Sequence, residues 1–331
     1  MPEMQAPVRI GAIGCGGRAR DHLRALAAHP EVQLVAVADV SQAAAEQAAA
    51  QFGVPYYVVH QRLLERNDLD AVWLSLPVFA HGQVELDIIA RGLPFFVEKP
   101  VARDLEPALQ VADALDRAGL WAAVGYQLRY TAGVRSAHAF LQGKTVATAE
   151  GHYWCGTGRD HRGRWITDWA QSGGQLVEQA THTVDILRHL VGDIEEVYCW
   201  QAKRVLQDIS SPDAYALALR FQNGALGTLN TGWCHDGRQW DEANIVHILV
   251  DGCLLRLGAG TVATVSPADV ATLPEVSGPD MYGAFVQAVR TGDPAAAGIA
   301  SLYRDALATL AVSLAANASA ASGRPERALP A

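Results

Sequence analysis

The stretch Val8-Arg9-Ile10-Gly11-Ala12-Ile13-Gly14-Cys15-Gly16-Gly17-Arg18-Ala19 decides the fold of this chain. Its first half is a short apolar run typical of a buried strand, and the residues from 18 to 28 follow with the spacing of a helix. Between them, the pattern G-x-G-x-x-A supplies one glycine for a tight turn, a second for the close approach of a pyrophosphate, and a small residue for helix–strand packing. This context predicts a dinucleotide-binding turn formed by Gly14, Gly16, Gly17, Arg18 and Ala19.

Strand-like and helix-like segments alternate through the first 125 residues. Further apolar runs occupy residues 33–39, 71–76, 94–97 and 121–125, and helix-period segments separate them. Strict alternation indicates parallel strands joined by crossover helices. The predicted fold class is therefore α/β, with an N-terminal Rossmann domain, a doubly wound parallel sheet over residues 1–126 that binds NAD(P).

A carboxylate ends the second predicted strand. Asp39 lies twenty residues after Ala19, where it can accept hydrogen bonds from both ribose hydroxyls of a dinucleotide. Its charge would repel a 2′-phosphate, so NAD is the predicted cofactor and NADP the less favoured one. The alternative is that Asp39 only caps the following helix, for which Ser41 is the predicted N-cap.

The third predicted strand ends in a second group of candidate cofactor contacts, because ligands of open α/β sheets bind at the carboxyl edge. These residues are Ser75, Leu76, Pro77 and His81. His81 is equally well interpreted as an ordinary residue in the first turn of its helix.

The pattern changes after residue 127. One helix is predicted at about 175–190, and the period-2 or apolar runs that follow span residues 197–203, 214–221, 225–233, 244–250 and 253–257. Asn-Gly and Asp-Gly turns between such runs favour hairpins. Residues 127–331 are predicted to form an α+β domain with a large, mainly antiparallel sheet for substrate binding and oligomerisation. Its C-terminal helices are expected to pack back on the first domain.

Two short motifs carry candidate catalytic groups: Glu98-Lys99-Pro100 after a hydrophobic strand, and Glu178-Gln179-Ala180-Thr181-His182 in the predicted helix. A histidine, with a pKa of about 6.5, suits removal of a hydroxyl proton. A lysine can stabilise the developing alkoxide. A cis Lys99–Pro100 bond is accessible at modest cost and would direct Lys99 into the cleft. The alternatives are a solvated lysine and a satisfied polar seam between domains.

With these motifs, the chain resembles the glucose–fructose oxidoreductase / inositol dehydrogenase / rhizopine-catabolism (Gfo/Idh/MocA) family. The resemblance also covers Gly125-Tyr126-Gln127-Leu128-Arg129-Tyr130, the Gly173-Gly174 pair and the closing element at residues 316–323. It implies an NAD(P)-dependent oxidoreductase that transfers a hydride between a nicotinamide cofactor and a hydroxyl or keto carbon of a sugar, cyclitol or sugar derivative. The alternatives are an NAD-assisted glycoside hydrolase and a non-catalytic NAD-binding regulator of a sugar pathway.

The resemblance also implies site residues. The catalytic residues would be Lys99, His182 and Glu178, although the family more often has Asp at position 178, so Glu178 either reaches the substrate or orients His182. Glu98, Lys99 and Gln127 would join the cofactor site. The predicted substrate contacts are Lys99, Arg129, Tyr153, Trp165, Glu178, His182 and Asp185.

Several of these substrate contacts have structural alternatives. Arg129 is equally suited to a salt bridge, and Asp185 to a buried polar network. The aromatic segments at residues 152–154 and 164–169 are predicted to form a specificity wall, since rings stack on sugar faces. A metal site that combines His152 with the residues of the 178–185 segment is conceivable, but nicotinamide chemistry does not need one and none is predicted.

The composition limits the partners. A formal net charge of −9 disfavours nucleic acid binding. No apolar run approaches the roughly 18 residues of a membrane span, and residues 1–7 lack the features of a signal peptide. Five scattered cysteines favour reduced thiols and a cytoplasmic location. A homodimer or homotetramer is expected from the resemblance and from the broad sheet.

Overall fold

The computed structural model describes residues 6–236, 244–258, 262–266 and 271–328. The chain divides into two compact units. The first consists of Met1–Ala102, Glu106–Gly125 and Pro279–Tyr303, and the second of Arg103–Leu105, Tyr126–Gly278 and Arg304–Ala331. The chain therefore leaves the first unit after residue 125 and returns to it for a later segment.

Within its described residues, the first unit holds a sheet of six parallel strands in the order β3-β2-β1-β4-β5-β6. The strands are β1 Val8–Ile13, β2 Val32–Ala38, β3 Tyr56–Tyr57, β4 Ala71–Leu74, β5 Phe95–Val97 and β6 Ala122–Val124. The order reverses between β1 and β4, and the crevice at such a reversal is where open α/β sheets bind ligands. The predicted Rossmann sheet is confirmed.

Helices join these strands. They are α1 Gly17–Ala28, α2 Gln42–Phe52, α3 His60–Leu64, α4 Gln83–Ala90, α5 Leu105–Ala118 and, from the returning segment, α11 Met281–Thr291. The hydroxyl of Ser41 accepts a hydrogen bond from the backbone N–H of Ala44, so it caps α2 as predicted. Helix α4 begins only at Gln83, after a short 3-10 turn at Val78–Ala80, so His81 precedes this helix and does not lie in its first turn.

The described residues of the second unit hold a nine-stranded sheet in the order β14-β13-β12-β11-β7-β10-β9-β8-β15. Its strands are β7 Val146–Trp154, β8 Ile194–Ala202, β9 Ala214–Phe221, β10 Leu226–Gly232, β11 Asn244–Val250, β12 Cys253–Gly258, β13 Val262–Ser266, β14 Ala271–Thr272 and β15 Glu326–Arg327. Neighbours are antiparallel except β7 and β10, which are parallel. The predicted mainly antiparallel sheet is confirmed.

One face of this sheet is covered by helices and the other is open. Along β9 the buried side chains of Tyr215, Leu217, Leu219 and Phe221 alternate with more exposed ones. The helices of the second unit are α6 Ala132–Leu141, α7 Thr157–Asp160, α8 Trp169–Ser172, α9 Gln175–Glu178, α10 Thr181–Val191 and α12 Tyr303–Ser322. Among these, α10 contributes a large part of the hydrophobic core.

In the second unit the sequence prediction was incomplete or wrong at several elements, including strand β13, which it did not contain. The predicted continuous helix at 175–190 is two helices, α9 and α10, separated by Gln179 and Ala180. Helix α6 was missed because it is short and contains Gly133 near its start. Strand β7 was missed because Gly151 and two alanines weaken its strand signal.

In the described part of the chain, no helix combines the length and the apolar character that a membrane crossing requires.

A glycine lets α10 approach β7. A Cβ at Gly151 would lie 2.7 Å from Thr183 Cγ2 and 3.3 Å from Leu187 Cδ1 of that helix. Both neighbours are fully buried, so they have little room to move.

We expect Gly151→Ala to destabilise the protein by about 1–3 kcal/mol, because the added methyl overpacks the helix–strand contact. Thermal unfolding measures this. Gly258→Ala is the matched control, since no described atom lies within 4 Å of its ideal Cβ position. Equal melting temperatures for the two variants would contradict the proposed crowding.

Candidate active site

The Gly-rich turn connects β1 to α1 at the reversal of strand order. Gly14 has a φ of +100°, and a Cβ there would lie 2.1 Å from the carbonyl oxygen of Ser75, so only glycine fits. Within the described part of the chain, helix α1 starts at Gly17 without a side-chain cap, and Cβ atoms at Gly16 and Gly17 would meet nothing within 4 Å. The turn therefore offers open backbone N–H groups at a helix start, which is the arrangement that binds phosphate.

Asp39 stands directly after β2 and beside this turn. Its Oδ2 accepts a hydrogen bond of 2.7 Å from the backbone N–H of Cys15, and its Oδ1 accepts one of 2.8 Å from that of Ser41. Two backbone donors thus fix the carboxylate at the edge of the sheet. Burial, and then the nearby Asp39, raise the pKa of the Cys15 thiol to about 12, so this cysteine is a packed thiol rather than a nucleophile.

The end of β4 contributes Ser75, Leu76 and Pro77, which are all partly buried at the same edge. The backbone N–H of Ser75 donates to the carbonyl of Ile13, which ties the two strand ends together. The imidazole of His81 is buried, and its Nδ1 lies 2.5 Å from Glu85 Oε1. Its Nε2 is buried and has no hydrogen-bond partner among the described residues.

Glu98, Lys99 and Pro100 follow β5 at this edge too, and the Lys99–Pro100 bond is cis. Glu98 is 5% exposed. The guanidinium of Arg18, predicted as a cofactor contact, lies 3.2 Å from Glu98 Oε1.

In the second unit, the break between α9 and α10 carries the other candidate catalytic residues. The backbone N–H of Ala180 donates to the carbonyl of Gln175 over 2.9 Å, one residue farther back than in an α-helix. Such local widening is frequent at functional sites. Glu178 ends α9 and His182 lies in the first turn of α10, and both are less than 10% exposed.

Tyr153 of β7 reaches the same place. Its hydroxyl donates a 2.9 Å hydrogen bond to Gln179 Oε1, and the amide of Gln179 donates to the Glu178 carboxylate. The Tyr153 and His182 ring centroids are 6.4 Å apart. The structure therefore brings together Tyr153, Glu178 and His182, with Gln179, which sequence reasoning had not selected, as the link.

The predicted aromatic wall is divided between the two faces of the sheet. His152 and Trp154 alternate with Tyr153 along β7, and their rings stack on the opposite, open face with centroids 4.6 Å apart. Of these three residues, only Tyr153 points toward His182. Trp165 begins a 3-10 turn, Trp165–Thr167, and is partly buried.

Arg129 and Asp185 form a buried ion pair. The Arg129 guanidinium donates to both carboxylate oxygens of Asp185, over 2.9 and 2.6 Å, and Arg129 also lies 2.7 Å from Asp305. Burial raises the pKa of Asp185, and Arg129 opposes that rise. Of the two roles that the sequence left open for each residue, this geometry supports the structural one. Gln127, predicted as a cofactor contact, begins the adjacent 3-10 turn, Gln127–Tyr130.

The described residues contain no group of three or more His, Cys, Asp or Glu side chains placed to hold a metal ion. The chemistry of the candidate residues is instead that of acid–base catalysis, with an imidazole, an ammonium and carboxylates. A doubly wound sheet with a phosphate-type turn and a carboxylate after β2 defines the class of dinucleotide-binding proteins.

The comparison with protein families agrees. Residues 8–126 match the model described as an oxidoreductase family with an NAD-binding Rossmann fold, and residues 144–248 match the Gfo/Idh/MocA C-terminal domain. The chain belongs to the Gfo/Idh/MocA oxidoreductase family. The predicted family, enzyme class and NAD cofactor are thereby confirmed.

Individual relatives are similar to parts or to the whole of the chain. The inositol 2-dehydrogenase of Ralstonia nicotianae is 29% identical over 190 residues, which cover 56% of this chain and 55% of that protein. The scyllo-inositol 2-dehydrogenase (NAD(+)) of Bacillus subtilis is 28% identical over 57% of this chain and 55% of its own. The chain thus matches just over half the length of these two curated relatives.

A solved structure covers nearly the complete chain. The WlbA dehydrogenase from Bordetella pertussis, crystallised with NADH and UDP-GlcNAcA, superposes with a TM-score of 0.84 at 25% identity. The match spans 98% of this chain and 99% of that one.

The buried ion pair yields a stability prediction. We expect Asp185→Ala to destabilise the protein by about 3–5 kcal/mol, because it leaves Arg129 partly uncompensated inside the protein. The control is Glu196→Ala, whose carboxylate pairs with the exposed Arg220 on the nine-stranded sheet and is worth about 1 kcal/mol or less. Thermal unfolding compares the two variants. An Asp185→Ala protein of unchanged stability would argue against the structural role.

Proposed function

We propose that this enzyme transfers a hydride between NAD and a hydroxyl or keto carbon of a sugar, cyclitol or sugar derivative. The observation that carries the proposal is the position of Lys99, directly after β5 at the carboxyl edge of the NAD-binding sheet, with the buried Glu98 carboxylate holding its peptide. The names of the relatives, two inositol dehydrogenases and a sugar-nucleotide dehydrogenase, support the substrate class.

The proposed cofactor site uses the groups at this edge. The backbone N–H groups at the Gly16–Gly17 helix start would bind the phosphates, and Asp39 would accept hydrogen bonds from the ribose hydroxyls. The remaining proposed cofactor contacts are the backbone of Leu76–Pro77 and the residues His81, Glu98 and Gln127. When bound, NAD supplies the hydride acceptor.

The proposed reaction needs a base and an electrostatic partner at one oxygen. As the hydride leaves the carbon, the hydroxyl proton passes to the His182 imidazole, and the Lys99 ammonium stabilises the developing alkoxide. Glu178 orients the imidazole or binds a neighbouring hydroxyl, and Tyr153 and Gln179 hold Glu178 in place. In the reverse direction, the Lys99 ammonium polarises the carbonyl and the His182 imidazolium returns the proton to its oxygen.

The second unit is proposed to bind the substrate and to form the contact between subunits. Three large apolar side chains, Trp154, Trp200 and Leu226, are at least half exposed on the strands of its nine-stranded sheet. An exposed apolar surface of this kind favours association with a second copy. A homodimer or homotetramer is therefore part of the proposal.

We expect Lys99→Ala and His182→Ala each to lower kcat by roughly 10²–10⁴-fold, as is usual when acid–base catalysis is lost. The assay follows NADH absorbance with inositols, levoglucosan and a UDP-linked sugar acid as probes. Lys144→Ala, at an exposed lysine, serves as the matched control. Full activity of the Lys99→Ala enzyme would refute the proposed role, and glycoside cleavage without net NADH would indicate a hydrolase instead.

We expect Asp39→Ala to reduce the preference of the enzyme for NAD over NADP by about 10- to 100-fold, since it removes a charged hydrogen-bond acceptor and its repulsion of a 2′-phosphate. The ratio of kcat/KM for the two cofactors measures this. Ser41→Ala removes only the helix cap of α2 and should leave that ratio unchanged. If the ratio survives in Asp39→Ala, Asp39 does not contact the ribose.

A further inference from the structure

In the first unit, a network of hydrogen bonds runs from Tyr282 through His22 to Glu98, the residue before Lys99. His22 of α1 is 0% exposed, and its Nε2 lies 2.6 Å from Glu98 Oε1. Its Nδ1 lies 2.9 Å from the hydroxyl of Tyr282, in α11. The three residues come from widely separated parts of the chain, so no sequence motif contains them.

The direction of the hydrogen bond to Glu98 follows from the carboxylate. An ionised carboxylate has no proton to donate, so Nε2–H of His22 is the donor and Glu98 Oε1 is the acceptor. Burial raises the pKa of Tyr282 to about 12, so its hydroxyl keeps its proton at neutral pH and can pair with Nδ1 of His22 as donor or acceptor. The two hydrogen bonds of His22 therefore hold a donor against the carboxylate.

Aromatic packing holds this chain rigidly. The Trp73 and Phe96 rings stack with centroids 3.7 Å apart, and the Tyr282 ring stacks on Trp73 at 5.2 Å. The His22 ring contacts both Trp73 and Phe96, at 5.2 and 5.6 Å. The imidazole thus has little freedom to turn away from Glu98.

Glu98 is an ionised group inside the protein. Burial alone would raise its pKa, but the hydrogen bond from His22, together with the electrostatic effects of His22, Arg18 and Lys99, lowers the pKa to about 2. At the other end of this network, the negative charges of Asp280 and Asp21 also raise the pKa of the Tyr282 hydroxyl.

The second oxygen of Glu98 connects this network to Lys99. Oε2 accepts a 3.0 Å hydrogen bond from the backbone N–H of Lys99. On the other side, a Cβ at Gly125 would lie 3.1 Å from Oε2, so the backbone after β6 closes against the carboxylate. Both oxygens of Glu98 are therefore held, one by His22 and one by the peptide that carries Lys99.

We propose that His22 and Tyr282 are positioning residues for hydride transfer, because they hold Glu98 as a buried anion that fixes the Lys99 peptide and provides an anionic neighbour for its ammonium. This inference rests on the proposed function. Neither residue touches the reacting atoms; each acts through Glu98. The Lys99 ammonium is the group proposed to stabilise the alkoxide, so the position of its peptide matters for the reaction.

The test compares His22→Leu with His22→Gln. Leucine removes the donor to Glu98, whereas the glutamine amide can replace Nε2–H. Without its donor, the buried Glu98 should have a raised pKa. Glu98 would then become neutral as the pH falls through that value and regain its charge as the pH rises. Wild-type Glu98, with a pKa of about 2, stays ionised throughout the assay range.

We therefore expect kcat of His22→Leu to fall about tenfold or more at low pH and to recover toward higher pH, over a profile from about pH 5.5 to 9. His22→Gln should keep the wild-type profile. A uniform loss at every pH in both variants, or an unchanged profile for His22→Leu, would overturn the inference, because packing alone predicts no pH dependence.

Tyr282→Phe keeps the ring on Trp73 and removes only the hydroxyl, so it tests the chain even if His22→Leu fails to fold. We expect the same pH-dependent loss with a smaller size, about 3- to 10-fold. Tyr56→Phe removes an exposed phenol that bonds to Glu46 and is the matched control. Equal profiles for Tyr282→Phe and Tyr56→Phe would count against the inference.

Two results separate failure of this inference from failure of the proposed function. If Lys99→Ala retains wild-type turnover, the proposed function fails, and the positioning role with it. If Lys99→Ala is inactive while both His22 variants keep the wild-type profile, the function stands and the inference alone is wrong.

Discussion

The carbonyl oxygen of Ser75 leaves no space for a side chain at residue 14, and this crowding sets the layout of the whole nucleotide-binding edge. Because only glycine fits, the chain turns sharply after β1 and α1 begins three residues later. The same turn presents open N–H groups and gives Asp39 the backbone donor of Cys15. One turn and a half further along α1, His22 lies against Glu98.

The second unit depends on a similar close approach. Gly151 lets α10 lie directly on β7, which fixes the height of His182 above the sheet. The break before α10 then separates Glu178, which ends α9, from His182 in the first turn of α10. A glycine in a strand, normally unfavourable, is explained here by the helix that it admits.

The sequence was sufficient where a local pattern determines the structure. The turn at Gly14, the cap at Ser41 and the alternation of strands in both sheets follow from short-range chemistry. The sequence was insufficient where a group far away in the chain determines the local structure. The break at Gln179 involves neither Gly nor Pro and is bound by Tyr153, and His22 finds its partners 76 and 260 residues away. The roles of Lys99 and His182 at a common oxygen stay predictions.

Buried charges in this protein serve different ends. A buried ion pair is weak evidence of stabilisation, because desolvation offsets its Coulomb energy. Arg129 and Asp185 bind each other with bidentate geometry. Glu98 is different, since one of its oxygens is bound by the peptide of an adjacent lysine at the carboxyl edge. An apolar residue at position 98 would avoid the desolvation cost but could not hold that peptide, so the charge is better explained by the position of Lys99 than by stability.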